Sequence, residues 1–322
     1  MKGAILMEQP ILSICIPTIN RSEYLKKNLD TIVKQNAFLD GRVEVVISDN
    51  ASTDDTKAIG MEYADKYENI RYYRNEKNIS NDNFPLVISK ANGIYRRLCN
   101  DTLLFKDDSL SAMCKIIESN QNEKPFLVWT SGRNCTEFYK TDFEGYLHTM
   151  SFWITSIACF GIWGSDCDGI AEDTYGTDLR LWQVRKGLEL ASKTNKVLIV
   201  NKDLTGVQAV KKKNISYGLY KIFYQNYFLL LQPYFDSGIL SAATREFLEK
   251  DLLFNFFMDW TIKWEFGAKN LQYSRTEDLK EAVHQQYKDK DYWQEYCRQY
   301  KRRRIIVRLK ETKDAVGRLI RR

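Results

Sequence analysis

The chain has 322 residues, 44% of them hydrophobic, and a formal net charge of +6, enough to bury a full core in one or two domains. No apolar run approaches the ~18 residues of a membrane-crossing helix, and the opening MKGAILMEQP is too short and wrongly flanked for a secretory signal, so the chain is read as cytosolic. Seven scattered cysteines (Cys15, Cys99, Cys114, Cys135, Cys159, Cys167 and Cys297), no C-x-x-C pair and two histidines indicate reduced thiols rather than a zinc site.

Residues 12–21, LSICIPTINR, read as a buried strand that runs into a polar loop. The same pattern returns at 43–55, VEVVISDNASTDD. Between them Leu25, Leu29, Ile32 and Val33 recur at helical spacing, with Lys26, Lys27, Asp30 and Lys34 on the other face. Residues 11–48 are therefore a strand, crossover helix and strand, a right-handed unit that makes parallel sheets. Two strands ending in polar loops form the crevice in which open α/β sheets bind nucleotides. Pro17, Thr18, Ile19 and Asn20 stand where a glycine fingerprint would follow the first strand, which counts against nicotinamide and ATP-loop chemistry.

A second helix is expected over 54–67, capped by Ser52 or Thr53, then a strand at 70–73 and a polar loop at 75–83. A helix at 84–92 ends at Gly93, and a strand at 94–98 runs into Asn100-Asp101-Thr102. A helix at 108–119 and a strand at 126–130 come next, while 131–150 shows no clear period. A helix over 179–190 and a strand at 196–200 close the first domain. After Ser216 the pattern is helical throughout, and its aromatic-rich 217–235 segment suits a core-facing helix or a dimer seam.

Charge is uneven. Residues 301–322 hold ten Lys or Arg against two acids, so the rest of the chain is slightly acidic. On a helix, Ile305, Ile306, Leu309, Val316, Leu319 and Ile320 would form an apolar stripe beside a cationic face, suited to an anionic membrane surface. A solvated or partner-packed terminal helix is the plainer reading. RNA binding is a third, with no recognition motif to accompany the charge, and no nucleic acid is expected.

The series IPTINR, ISDNASTDDT and ANGIYRRLCNDTLLF resembles the family 2 glycosyltransferases, which have the GT-A fold and invert configuration at the sugar. Among them it is most similar to bacterial enzymes of surface-polysaccharide synthesis, of the O-antigen abequosyltransferase type. The resemblance is rich in motifs over residues 11 to about 120 and recognisable to about 205. The expected architecture is α/β, a Rossmann-like, mostly parallel GT-A sheet flanked by helices over 1–205. A helical region over 206–300 and a basic amphipathic tail over 301–322 follow. The resemblance implies transfer of a sugar from a nucleotide-sugar donor, UDP being the family's commonest nucleotide, to a hydroxyl of a lipid-linked glycan, and docking of the basic tail on the inner membrane face would bring the enzyme to that acceptor.

Pro17 ends the first strand with a free edge for a flat base, and Thr18, Asn20 and Arg21 offer donors to base and phosphate. The same residues also suit a strand-to-helix turn with Asn20 or Ser22 as N-cap. Asp49 matches the family acid that accepts from base or ribose, and Asp49-Asn50-Ala51-Ser52 also suits an Asx turn. Asn78 matches a nucleotide-side position of an N-x-G stretch, although Ser80 replaces its glycine. Family members hold Mg²⁺ or Mn²⁺ on a D-D-D or D-x-D cluster, which stabilises the leaving diphosphate. Here only Asp101 keeps its charge, as the candidate metal ligand, with Asn100 and Thr102 beside it for ribose or a bound water. Asp107 and Asp108 are expected to cap the next helix.

An inverting transfer needs a general base. The family takes it from the later half of the domain, and the candidates here are Asp178, expected to open a helix after Gly176-Thr177, then Asp173, with Glu172, Asp166 and Asp168 behind them. Of seven aromatics between 146 and 182, about two are expected to face a sugar and the rest to be core. The alternative function is a nucleotide-sugar-binding protein without turnover, suggested by the reduced acidic triplet.

Overall fold

The computed structural model describes residues 9–132, 137–210, 213–215, 217–266, 271–273 and 278–320. It divides into two units, Met1–Tyr146 with Trp153–Ala209, and Leu147–Phe152 with Val210–Arg322.

In the first unit, β1 (Leu12–Thr18) and β2 (Val43–Asp49) are buried along nearly their whole length, as strands covered on both faces must be. They pair in parallel from Leu12↔Val43 to Thr18↔Asp49. The crossover helix α1 (Ser22–Ile32) buries Leu25, Leu29 and Ile32, and also Asn28, which donates to the Leu103 carbonyl at 2.8 Å. A short α2 (Asn36–Leu39) leads into β2. Then α3 (Thr56–Lys66), β3 (Ile70–Arg74), α4 (Asn83–Ser89) and β4 (Tyr95–Leu98) follow.

Beyond β4 come β5 (Leu103–Phe105), α5 (Ser109–Asn120), β6 (Phe126–Trp129), β7 (Phe138–Thr141), α6 (Phe143–Met150) and β8 (Gly161–Trp163). The main sheet has the order β3-β2-β1-β4-β8, parallel except for β8. At β8 a Cβ on Gly161 would lie 2.4 Å from the Tyr95 hydroxyl, so only glycine lets β8 lie against that ring. After α7 (Trp182–Thr194), β9 (Val197–Val200) sits between β6 and β7 in a second sheet, and β10 (Thr205–Val207) pairs with β5.

The order reverses at β1: the chain moves outward to β2 and β3, then returns to β4 on the other flank. β1–β4 pairing stops at Cys15↔Leu98, with a last bond from Cys99 N to Cys15 O at 2.8 Å. β1–β2 pairing continues three residues further, closed by Asn50 N to Thr18 O at 2.9 Å. The backbone groups of Cys15 face β4, so those of Pro17, two residues on, face the gap that β4 has left. Proline's missing N–H forfeits no ladder bond there.

In the second unit, β11 (Lys213–Ile215) and β12 (Leu271–Tyr273) form a parallel pair, two strands that the all-helical expectation missed. The π-helical stretch Lys221–Asn226 continues into α8 (Tyr227–Asp236). Next come α9 (Ala242–Asp251), a second π-helical stretch Leu252–Phe257 running into α10 (Met258–Glu265), α11 (Leu279–Tyr287) and α12 (Trp293–Ile320). Tyr227, Phe228, Leu230 and Leu231 are buried, so α8 turns a face to a core. Buried Glu249 accepts from Lys290 at 2.6 Å and from the Tyr224 hydroxyl at 3.1 Å. Described residues 301–320 belong to a single helix, α12, that begins at Trp293.

Several local expectations are corrected. Ser52 and Thr53 do not cap α3; Asp54 accepts from Thr56 N at 3.0 Å. Neither Asn20 nor Ser22 caps α1, whose N-cap is Arg21 without a side-chain bond. Asp54 also serves that helix, accepting from Ser22 N at 3.0 Å. Asp107 pairs with Lys34 at 2.9 Å and Asp108 makes no capping bond; Gln35 caps α5 instead, accepting from Leu110 N at 3.0 Å. For α1 and α5 a side chain remote in sequence does the work of the local one.

Candidate active site

The site is built where β1 and β4 part. Thr18, the last residue of β1, donates through its hydroxyl to Asp101 Oδ2 at 2.8 Å. Arg21, at the head of α1, places its guanidinium 3.5 Å from Asp101 Oδ1 and 5.9 Å from the centre of the Tyr24 ring. Three residues that the sequence distributed over two motifs therefore form one cluster across the topological switch point. Asp101 is buried, and that desolvation raises its carboxyl above the usual range against the opposing pull of Arg21 and Thr18.

Gln208 holds the triplet from behind. Its backbone N–H donates to Thr102 O at 2.9 Å, and its side-chain amide donates to Tyr24 O at 3.1 Å and Asp101 O at 3.4 Å. It therefore ties the Asn100–Leu103 turn to α1. Sequence reading missed it, because an isolated glutamine 107 residues from its partner carries no local signal. The Asn100 side chain is half-buried beside the cluster and takes no hydrogen bond from the described residues.

A second network closes the β2 side. Asn20, in the left-handed region at φ 50°, accepts from Thr53 N at 2.7 Å and donates its backbone N–H to Ser52 Oγ at 2.8 Å. The loops after β1 and β2 are thereby stitched together. Asp49 is fully buried, and its carboxylate accepts from Ser52 N at 2.9 Å, the Tyr72 hydroxyl at 2.6 Å and Arg74 at 2.7 Å. The Asx turn is present, and three of the roughly four acceptor positions of Asp49 are taken inside the protein. Arg74 was also missed by sequence reading, although the β2–β3 register sets it directly opposite Asp49.

Asn78 is exposed and accepts from Asn50 at 2.8 Å and from Ser80 N at 2.8 Å. Ser80 has φ 53°, so the chain keeps a glycine-type backbone at the position where glycine is replaced. Asn50 in turn accepts from Ile79 N at 2.8 Å and from Asn75 at 3.2 Å, an amide network that fixes the loop over β2.

The two candidate bases differ. Asp173 is bound by Arg185 and by Lys186 at 3.4 Å. Asp178 is exposed and accepts no hydrogen bond from the described residues. It does not open a helix: α7 starts four residues later at Trp182, with Leu181 as N-cap. No hydrogen bond or ion pair joins either acid to the Thr18–Arg21–Asp101 cluster. Of the seven aromatics singled out, Tyr146, Phe152, Phe160, Trp163 and Trp182 are buried, whereas Trp153 and Tyr175 are exposed by 42% and 66%.

The expected divalent ion meets a poor donor set. Asp101 is the sole carboxylate of its triplet, with one oxygen committed to Thr18 and the other facing a guanidinium. Asp54 is engaged by Ser22 and Thr56, and Asp49 by the bonds above. Among the described residues no three His, Cys, Asp or Glu side chains gather as a metal site. The six described cysteines are free thiols; burial pushes Cys99 and Cys167 up to about 11. Cys135 lies outside the described residues.

An open, mostly parallel sheet with a polar cluster at its switch point, continued by helices, is the architecture of the GT-A glycosyltransferases. Residues 13–160 match the family described as glycosyl transferase family 2, and the chain carries a glycosyltransferase domain of that family. The abequosyltransferase RfbV of Salmonella typhimurium is 39% identical over 112 residues, 34% of this chain and 33% of that one. The GalNAc(5)-diNAcBac-PP-undecaprenol beta-1,3-glucosyltransferase of Campylobacter jejuni is 30% identical over 116 residues, 35% of each chain. The matched segment thus spans about a third of the length of these curated relatives. In structure, S. aureus TarS 1-349 in complex with UDP superposes with a TM-score of 0.55 at 18% identity, over 78% of this chain and 75% of that one. The Pyrobaculum calidifontis mannosyltransferase PcManGT, in complex with GDP-Man and Mn²⁺, gives 0.51 at 14% identity over 88% of both.

Proposed function

We propose that the protein is an inverting glycosyltransferase that moves a sugar from a nucleotide-sugar donor to a hydroxyl of a lipid-linked glycan in bacterial surface-polysaccharide synthesis. The observation that carries this reading is the Thr18–Arg21–Asp101 cluster at the switch point, the place where an open α/β sheet takes a nucleotide. Pro17, Thr18, Asn20, Arg21, Asp49, Asn78 and Asn100 surround the donor's nucleotide, with Asp49 acting through the turn and Arg74 that it holds. The acceptor oxygen attacks the anomeric carbon as the bond from that carbon to the diphosphate oxygen breaks. The acceptor's proton passes to a carboxylate. Asp178 suits that role better than Asp173, because its oxygens are open whereas those of Asp173 are neutralised by two cations.

The domain division proposed is a catalytic region to about 205, a helical region to 300 and a basic tail. Ile305, Ile306 and Leu309 are exposed by 60%, 45% and 65% among Lys301, Arg302 and Arg308, which suits docking on an anionic inner leaflet near the acceptor. Among the described residues no helix is long and apolar enough to cross a membrane.

The deciding experiment offers a panel of UDP-, GDP- and CDP-sugars with and without EDTA and follows release of the nucleoside diphosphate. Turnover of one donor supports the transferase. Binding of a donor with no turnover toward water or any offered glycan would favour a sugar-binding protein instead.

A further inference from the structure

We infer that Arg21, held in place by Asp101, is the cation that receives the leaving diphosphate, so that donor binding does not depend on a divalent ion. The inference rests on the nucleotide-sugar reading above. A departing diphosphate gathers negative charge, and a site that accelerates its departure must set a cation against it. A metal on carboxylates is one way to do so; a fixed guanidinium, matched to phosphate in shape, is another.

The carboxylates at the strand ends are already used. Asp49 is buried under Ser52, Tyr72 and Arg74, and Asp54 is spent on the first turns of two helices. Asp101 alone remains, between two neutral residues. Its Oδ2 takes the Thr18 hydroxyl and its Oδ1 faces Arg21. A divalent ion would have to displace the guanidinium from its own counter-ion and then sit against it.

Arg21 has the opposite profile. Its one ion pair among the described residues is the 3.5 Å contact to Asp101, and its side chain is 36% exposed. Most of its five N–H donors are therefore unspent, while Tyr24 beneath the guanidinium limits its swing. Asp101 is a positioning residue here: it aims the cation and does not touch the diphosphate.

The test is titration calorimetry of the full chain with UDP, GDP and CDP in turn, in EDTA and in Mn²⁺, with the matching nucleoside followed by ligand-observed NMR. The diphosphate that binds is expected to do so equally, within about twofold, in both buffers. Arg21→Ala weakens it about tenfold or more while the nucleoside binds as before, and Arg21→Lys restores part of the loss. In EDTA Asp101→Asn weakens the diphosphate less than Arg21→Ala does, because the amide oxygen still accepts from the guanidinium; a loss seen in Mn²⁺ and not in EDTA would mark a metal ligand. Tightening by Mn²⁺ that disappears in Asp101→Asn overturns the inference and leaves the transferase reading standing. An Arg21→Ala variant that binds normally, or loses nucleoside and diphosphate alike, also overturns it. Failure of every diphosphate in both buffers removes the inference and the nucleotide reading together.

Discussion

The Thr18 hydroxyl reaches Asp101 at 2.8 Å across the gap between β1 and β4, joining residues 83 positions apart at the one place where the sheet reverses its winding. This bond orients a buried carboxylate that burial alone would favour in its neutral form. Thr18→Val keeps the shape and removes the donor. A hydrogen bond to a charged group contributes about 1.5–3 kcal/mol, so donor turnover should fall about tenfold or more, read as kcat in the nucleotide-release assay. Asp101→Ala should abolish transfer. Wild-type kcat in both variants would remove the cluster from the chemistry.

Asp178→Asn keeps size and hydrogen bonding but cannot take a proton. Turnover should drop by about two orders of magnitude, the usual contribution of a general base, with donor affinity nearly intact. Asp173→Asn should lose stability instead, because Arg185 and Lys186 lose their shared partner. If Asp173→Asn proves to be the variant that loses turnover at full stability, the two roles are exchanged.

Ser80 occupies φ 53°, a region that costs an L-residue about 1 kcal/mol or more and glycine little. Ser80→Gly should fold normally with an unchanged or slightly higher melting temperature, while Ser80→Val should lower it. Equal melting of the two would show that the Asn50–Asn78 network does not hold the loop in this form.

Asp49 stabilises by accepting three bonds in a fully buried setting. Asp49→Ala strands the Ser52 amide and the Tyr72 hydroxyl, so the domain should lose about 3 kcal/mol in urea denaturation. Tyr72→Phe, which removes one donor, should cost less. A near-neutral Asp49→Ala would place this acid outside the scaffold and return it to direct contact with the base.

For membrane docking, full-length protein should sediment with anionic liposomes and much less with neutral ones, with the difference shrinking as salt rises. Ile305→Ser with Leu309→Ser should reduce that binding without altering turnover of a soluble donor. Equal pelleting of wild type and variant would dismiss the apolar stripe.

Sequence by itself determined the first strands and which polar residues stand at their ends. The largely apolar stretches LSICIPT at 12–18 and VEVVISD at 43–49 read as buried strands, the 3.6-residue period of 25–33 reads as a helix between them, and such a unit makes the pair parallel. Asp101, Arg21 and Thr18 could be named because the motifs that hold them resemble those of a known family, and because Thr18 and Arg21 offer donors just past a strand.

Tertiary structure alone decided how those residues are used. That Asp101 faces Arg21, that Asp49 is spent on Tyr72 and Arg74, that Gln208 and Gln35 serve elements far from themselves, and that Asp178 stands clear of any helix all depend on which strands become neighbours. β7 and α6 escaped notice for the same reason: β7 is a largely exposed strand held by its pairing with β9, not by its own pattern. Hydrophobic period is a local property that a few residues fix, whereas a hydrogen-bond partner is set by packing. Packing is decided only when the whole sheet closes on its core.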